Sequence, residues 1–388
     1  MTQGSSGATQ IDPVRQEVLA LARTLVVKVG TNVLTTAEGT LDLARVAGLA
    51  EQVHHLHQAG RKVALVSSGA IGAGVGRLGL GTRPTDLRHL QAAAAVGQTA
   101  LVGAYDECFS KFGRHAAQIL LTASDFDNRT RYLNARNTIL TLFEWDCVPI
   151  INENDTVSVA EIRFGDNDQL AAMVTNLLQA DLLILLTTVD GLYAGDPRVD
   201  PDAQLVRIVP QIDETIAAMA GASRSALGTG GMRSKLAAAR LVTTAGESVI
   251  MANGARPGIL NAIINGEPVG TLFLPHAGIL NARQRWIGLT AKPSGRYVVD
   301  AGARKAVQER GRSLLPIGVV DVVGAFDKGD VVAIVDAEGA EFARGLTNYS
   351  AADARRVKGL RSEQVAKLLG AAAYEEMIHR DNLVVRDL

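Results

Sequence analysis

Two lysines stand in places that suit chemistry. Lys28 sits inside the apolar run Leu25-Val26-Val27-Lys28-Val29, and a lysine within a buried strand is unusual. Lys235 closes the stretch Gly228-Thr229-Gly230-Gly231-Met232-Arg233-Ser234-Lys235, which follows the polar Ser223-Arg224-Ser225 and opens a helical run from Leu236 to Leu241. Glycines let a backbone approach a ligand closely, and a helix start offers free N–H groups. Those groups and the helix dipole attract phosphate, and the lysine adds a point charge. Each piece alone also has a plainer reading, as a flexible glycine loop before an ordinary helix or as a surface lysine. Further polar clusters are Gly30-Thr31, Ser67-Ser68-Gly69, Asn152-Glu153-Asn154-Asp155, Gly165-Asp166-Asn167-Asp168 and Thr187-Thr188. The Asn152 cluster could be a turn, and Asp168 a carboxylate favoured by a helix dipole.

The elements around these clusters give them a common address. Leu25–Val29 reads as a strand, Asp42–Ala59 as a helix with apolar Leu43, Val46, Leu49, Val53 and Leu56, and Val63–Val66 as the next strand. Strand, helix and strand with short links predict a parallel sheet. The pattern continues with a helix over Leu87–Phe112, a strand over Ala116–Leu121 and a helix over Tyr132–Trp145. Val148–Ile151 is a strand, Gln169–Gln179 a helix and Leu182–Thr187 a strand. Most of the polar clusters follow strands, and ligands of open α/β sheets sit outside the carboxyl ends of strands. The expected fold is therefore α/β, an open and mostly parallel sheet sandwiched by helices.

A composition break falls near Arg285–Ser294. Beyond it, short β-type runs at Tyr297–Val299, Gly318–Val323, Asp330–Val335 and Phe342–Leu346 predict a small, mainly β domain. The expected layout is a disordered extension over 1–21, a main domain over 22–290, the small domain over 294–375 and a tail over 376–388. The chain has 388 residues, 47% hydrophobic and 20% charged, with formal net charge −1. That balance offers no global pull toward nucleic acid or anionic membrane. Cys108 and Cys147 lie far apart and are expected as reduced thiols. No apolar run is long enough for a bilayer, and the first ten residues lack an apolar signal core, so a cytoplasmic location and no membrane partner are expected. His54, His55 and His57 share one helix and are expected on a solvated face.

The clusters, taken in order and spacing, resemble the amino acid kinase family, and within it the kinases that phosphorylate the side-chain carboxylate of glutamate. The motifs are Lys28-Val29-Gly30-Thr31, Ser67-Ser68-Gly69-Ala70-Ile71, Ile151 to Asp155, Gly165 to Asp168 and Gly228 to Lys235. The later part resembles a PUA domain through Gly311–Pro316, Gly329-Asp330-Val331-Val332 and Gly345–Tyr349. The resemblance implies an amino acid kinase fold followed by a PUA domain. It implies transfer of the γ-phosphoryl group of ATP to L-glutamate, the first step of proline biosynthesis. A carboxylate nucleophile is already ionised at neutral pH, so such catalysis is positioning plus charge stabilisation.

Lys28 and Lys235 suit that task, with Asp168 between their ammonium groups. Asp155 can take the substrate ammonium, Asn167 its α-carboxylate, and Ser68 carboxylate or phosphate oxygens, with Asn152 beside them. Lys28, Gly30, Thr187, Thr188, Thr229, Gly230, Gly231, Met232 and Lys235 are expected around ATP. Similar kinases often carry aspartate where this chain has Thr188. Mg²⁺ should travel with the phosphates, and no protein side chains are assigned to it. The family further implies inhibition by proline and a homo-oligomer, often a tetramer. RNA binding by the PUA region is not expected, because residues 294–388 hold fourteen Lys and Arg against fourteen Asp and Glu.

Overall fold

The computed structural model describes residues 12–36, 39–158, 167–220, 231–276, 282–369 and 374–385. The chain forms two compact units, Met1–Gly278 and Ile279–Leu388.

The first unit begins α1 Pro13–Leu21, β1 Thr24–Val29, α2 Thr31–Leu34, α3 Leu43–Gln58, β2 Lys62–Ser67, α4 Ala70–Arg77 and α5 Leu87–Ser110. Next come β3 Ala116–Leu121, α6 Ala123–Asp127, α7 Arg129–Glu144, β4 Val148–Glu153, α8 Asn167–Leu178 and β5 Leu182–Thr187. It ends with β6 Ile208–Val209, α9 Glu214–Met219, α10 Met232–Ala245, β7 Ser248–Asn253, α11 Ile259–Ile264 and β8 Thr271–Phe273. Eight strands form one sheet in the order β3-β4-β2-β1-β5-β7-β8-β6. β7 and β8 are antiparallel, and the other pairs are parallel. The expected α/β architecture is therefore the observed one. Every residue of β5 is buried, as a central parallel strand covered on both faces requires.

β1 lies between β2 and β5, so the strand order reverses beside it, and in such sheets ligands sit outside the carboxyl ends of the strands at that point. Strand alternation then decides what reaches it. Leu25, Val27 and Val29 of β1 enter a core with Val46, Leu49 and Val53 of α3 and Leu101 and Tyr105 of α5. Lys28, between Val27 and Val29, must face the other way. Register aligns the strand ends. Lys28 pairs with Val66 and Leu185, and Val29 with Ser67 and Leu186. Val66 also pairs with Ile151, so Asn152 follows at the level of Ser67.

Two glycines let α4 and α5 touch. A Cβ on Gly97 would lie 1.7 Å from the Ala70 carbonyl oxygen, and one on Gly74 would lie 1.8 Å from that of Ala93. This contact carries α5 up to the residues that follow β2.

The second unit opens with α12 Ala282–Arg285 and a π-helical turn, Trp286–Thr290. β9 Gly295–Val299, α13 Ala301–Gln308, β10 Val319–Gly324, β11 Val331–Val335 and β12 Glu341–Leu346 follow. α14 Ala351–Val357, α15 Ser362–Leu369 and β13 Leu383–Val385 complete it. Its sheet runs β10-β9-β11-β12-β13 around Tyr297, Val332, Ile334, Phe342 and Ile378.

Three expectations about extent change. Residues 13–21 were expected to be disordered but form α1. Asp12 caps it by accepting from the Val14 and Arg15 amides, and Pro13 stands at its start. The buried Arg15 guanidinium donates to the Val269 carbonyl at 2.8 Å, and Leu19 enters the core. Residues 1–11 lie outside the described residues. The segment around 282–291, placed with the main domain by composition, packs in the second unit. A Cβ on Gly288 would meet Val384 at 2.8 Å, and Arg344 donates to the Ala291 carbonyl at 3.1 Å. The expected tail is also part of that unit. Met377 and Ile378 are fully buried, and β13 pairs antiparallel with β12.

The histidine trio differs too. His55 is exposed, but His54 is partly buried and stacks on Phe112 with ring centroids 4.3 Å apart. His57 is partly buried, and its pKa is pushed down to about 4 by burial first and by Arg114 second.

Candidate active site

The two lysines meet on one carboxylate. Lys28 Nζ lies 2.6 Å from Asp168 Oδ1, and Lys235 Nζ lies 2.8 Å from Asp168 Oδ2. Lys28 comes from β1 and Lys235 from the first turns of α10, so they approach from different elements. Asp168 is fully buried, and the lysines are 6% and 8% exposed. Burial pushes the Asp168 pKa upward, but Lys28 and then Lys235 outweigh it, so the carboxyl titrates below its ordinary range. The array carries two positive charges and one negative, a net positive centre near the carboxyl end of the central strand β1. Ser234 Oγ donates to the Gly231 carbonyl at 2.9 Å and lies 3.4 Å from Asp168 Oδ2. It ties the start of α10 to the same carboxylate.

Asn167 precedes Asp168 in the first turn of α8, which starts two residues earlier than the sequence pattern places it. It joins a second group of residues. Asn167 Nδ2 donates to Ser68 Oγ at 2.8 Å and to Asn152 Oδ1 at 2.9 Å. Asn152 Nδ2 donates in turn to Gln98 Oε1 of α5 at 2.9 Å. Consecutive residues of α8 thus serve two tasks: Asp168 holds the lysines, and Asn167 holds the amide and hydroxyl network. Ser68 is set by Gly69, whose φ of 106° starts α4 in the left-handed region. Beneath it, Ser67 Oγ lies 3.2 Å from Tyr105 Oη in the core.

The remaining expected residues are distributed as follows. The Gly30 amide donates to the Leu186 carbonyl at 3.3 Å, and a Cβ there would lie 3.7 Å from Lys28 Nζ. Thr187 is buried at the end of β5, whereas Thr188 is exposed just beyond it. Gly231 caps α10, and Met232 is its first residue. Asp155 is partly buried in the turn after β4. Thr229 and Gly230 lie outside the described residues, as do Gly165 and Asp166. Gln98 is the residue that motif reading missed. It interrupts the buried stripe Ala94, Leu101, Tyr105 on α5, and a polar residue on an apolar stripe was the available signal. Among the described residues no three His, Cys, Asp or Glu side chains converge as a metal site. No helix among them is long and apolar enough to cross a membrane.

Known proteins resolve the family. The amino acid kinase family matches residues 23–253. The chain belongs to the amino acid kinase family. This kinase-family chain also carries a PUA domain match over residues 295–369. It is similar to a glutamate 5-kinase of Geobacter metallireducens, 49% identical over 96% of this chain and the whole of that protein. A glutamate 5-kinase of Thermoanaerobacter sp. (strain X514) is 46% identical over 93% of this chain and 97% of that one. Among solved structures, a carbamate kinase from Giardia lamblia bound to AMP-PNP covers 66% of the chain and all of its own. It is 20% identical, with a TM-score of 0.47. In this amino acid kinase, the family match spans both Lys28 and Lys235 and both halves of the hydrogen-bonded site.

Proposed function

We propose that the chain transfers the γ-phosphoryl group of ATP to the side-chain carboxylate of L-glutamate, giving L-glutamyl 5-phosphate. One observation carries the reading: Lys28 and Lys235 converge on the buried Asp168. The names of its nearly full-length relatives support it. The reaction must bring an anionic acceptor against an anionic phosphoryl group, and a preorganised positive centre offsets that repulsion. Asp168 keeps the two ammonium groups apart and aimed. No general base is required, because the γ-carboxylate is ionised at neutral pH.

In this reading Ser68, Asn152 and Asn167 hold the acceptor acid, and Asp155 pairs with its ammonium. Gly30, Thr187, Thr188, Thr229, Gly230, Gly231 and Met232 surround the nucleotide. Asp168 is engaged by both lysines, so Mg²⁺ would be held by phosphate oxygens and water, where it neutralises phosphate charge. The product feeds proline biosynthesis, in the cytoplasm, within a homo-oligomer that we read as a tetramer. RNA binding is not part of the proposal, because residues 294–388 carry balanced charge.

Proline keeps a carboxylate and an ammonium at glutamate-like spacing and should compete at the same residues. Added proline should raise the KM for glutamate at constant kcat; rates indifferent to millimolar proline would count against this. The lysine assignment has a sharper test. Losing a donor that acts in the transition state lowers kcat by roughly 10²–10³-fold. Lys235→Ala should show that fall with a much smaller change in the KM for glutamate and an unchanged circular dichroism spectrum. A loss under about threefold would remove Lys235 from the mechanism.

A further inference from the structure

The amide network can be oriented from one fixed donor. The backbone N–H of Glu153 donates to Asn152 Oδ1 at 2.9 Å. A backbone N–H has one possible role, so it fixes which side-chain atom of Asn152 is the oxygen. Asn152 Nδ2 must then donate, and the Gln98 atom that receives it is Oε1. Gln98 Nε2 is left over. Gln98 is 7% exposed, and its Nε2 has no partner among the described residues. A buried donor without an acceptor is costly, and native proteins rarely leave one without a reason.

The other end of the network behaves alike. Ser68 Oγ accepts from Asn167 Nδ2, so the hydroxyl hydrogen of Ser68 remains to be given. The chain Gln98–Asn152–Asn167–Ser68 therefore ends in a donor on each side. α5 reaches the neighbouring loop as well, where Gln91 Nε2 donates to the Ser158 carbonyl at 3.1 Å. Gln98 thus stands on the helix that borders the loop bearing Asp155. Two donors beside a carboxylate that can pair with an ammonium describe a site for an α-amino acid. The lysine centre takes the distal carboxylate.

We propose that Gln98 binds the acceptor substrate directly, its Nε2–H donating to the α-carboxylate while its Oε1 holds Asn152. The proposal rests on reading this network as the acid-binding site. It assigns a specificity residue that the family motifs in the sequence do not contain.

Gln98→Glu separates the two roles of the side chain. It keeps an acceptor for Asn152 Nδ2 and replaces the donor with an oxygen that repels a carboxylate. Gln98→Met removes both. Initial rates of the full-length chain, with glutamate and ATP varied separately, give the result. Q98E should raise the KM for glutamate by about tenfold or more near pH 8, with the KM for ATP within about twofold. Its KM for glutamate should fall toward wild type as pH is lowered, because the introduced carboxyl becomes a donor when protonated. Melting temperatures serve as the fold control for both variants. A Q98E enzyme with wild-type KM for glutamate, beside an impaired Q98M, would overturn the proposal and leave Gln98 as a support for Asn152. The wild-type chain tests the underlying reading separately. Turnover of another amino acid in place of glutamate would sink that reading, and the Q98E comparison is then decided on that acid. Turnover of no amino acid bearing a second carboxylate would overturn both.

Discussion

Asp168 is the residue on which the site balances. A fully buried carboxylate between two nearly buried lysines is held by charge rather than by solvent. Removing its charge by Asp168→Asn leaves two ammonium groups facing each other without compensation. Breaking a buried pair in this way costs about 3–5 kcal/mol, so the variant should melt well below wild type at pH 7 and lose turnover. The pH dependence has a definite sign. The folded pKa of Asp168 is depressed, so its stabilisation is complete above the unfolded value of about 3.9 and is lost as pH falls through the folded value. The gap in melting temperature between wild type and D168N should therefore be level above about pH 5 and close below about pH 4. A gap of constant size across that range would mean that the carboxylate is not held as described. Lys28 was legible in the sequence because charge interrupts an apolar strand. Gln98 left only the weaker signal of a polar residue on an apolar stripe, and its bond to Asn152, 54 positions away, has no local pattern.

At the scale of elements, the close approach of α4 and α5 positions Ser68 and Gln98, the two ends of the hydrogen-bonded network. α4 starts just after Ser68, and α5 carries Gln98 next to Gly97. A methyl group at position 97 would lie 1.7 Å from the Ala70 carbonyl oxygen and 2.3 Å from the Gly74 nitrogen, both backbone atoms. Overpacking of this kind costs about 1–3 kcal/mol or more. Gly97→Ala should lower the melting temperature, and by separating the helices it should raise the KM for glutamate before it affects that for ATP. Wild-type stability of G97A would contradict the packing described. The repeating strands and helices were readable because apolar spacing is local: β3 and β5 have the bounds that periodicity predicts. Asp12-Pro13 is a helix-start signal for α1, but the short helix is held down by contacts distant in sequence, such as Arg15 with the Val269 carbonyl, that no local pattern records. β13 is a similar case. Three residues, Leu383–Val385, become a strand only because β12 offers them an edge.

At the scale of the whole molecule, the start of α8 is where the two halves of the site meet. Asn167, the first residue of α8, holds Ser68 and Asn152 in a hydrogen-bonded network while Asp168, the next, holds Lys28 and Lys235; in the proposed reaction the network would bind the amino acid and the lysine pair would face the phosphoryl group. The segment Gly228–Gly230 lies outside the described residues, whereas Lys235 and the start of α10 are placed. The second unit was legible as β-rich, but its true reach from the segment near 282 to β13 was not, since composition marks neither edge. Acid selectivity tests this arrangement most directly. The full chain with ATP, Mg²⁺ and hydroxylamine should form a hydroxamate from L-glutamate. N-acetylglutamate keeps both carboxylates but loses the ammonium that Asp155 would pair, and its kcat/KM should be lower by about tenfold or more. Comparable kcat/KM for the two acids, or no ATP-dependent hydroxamate from glutamate, would contradict the account.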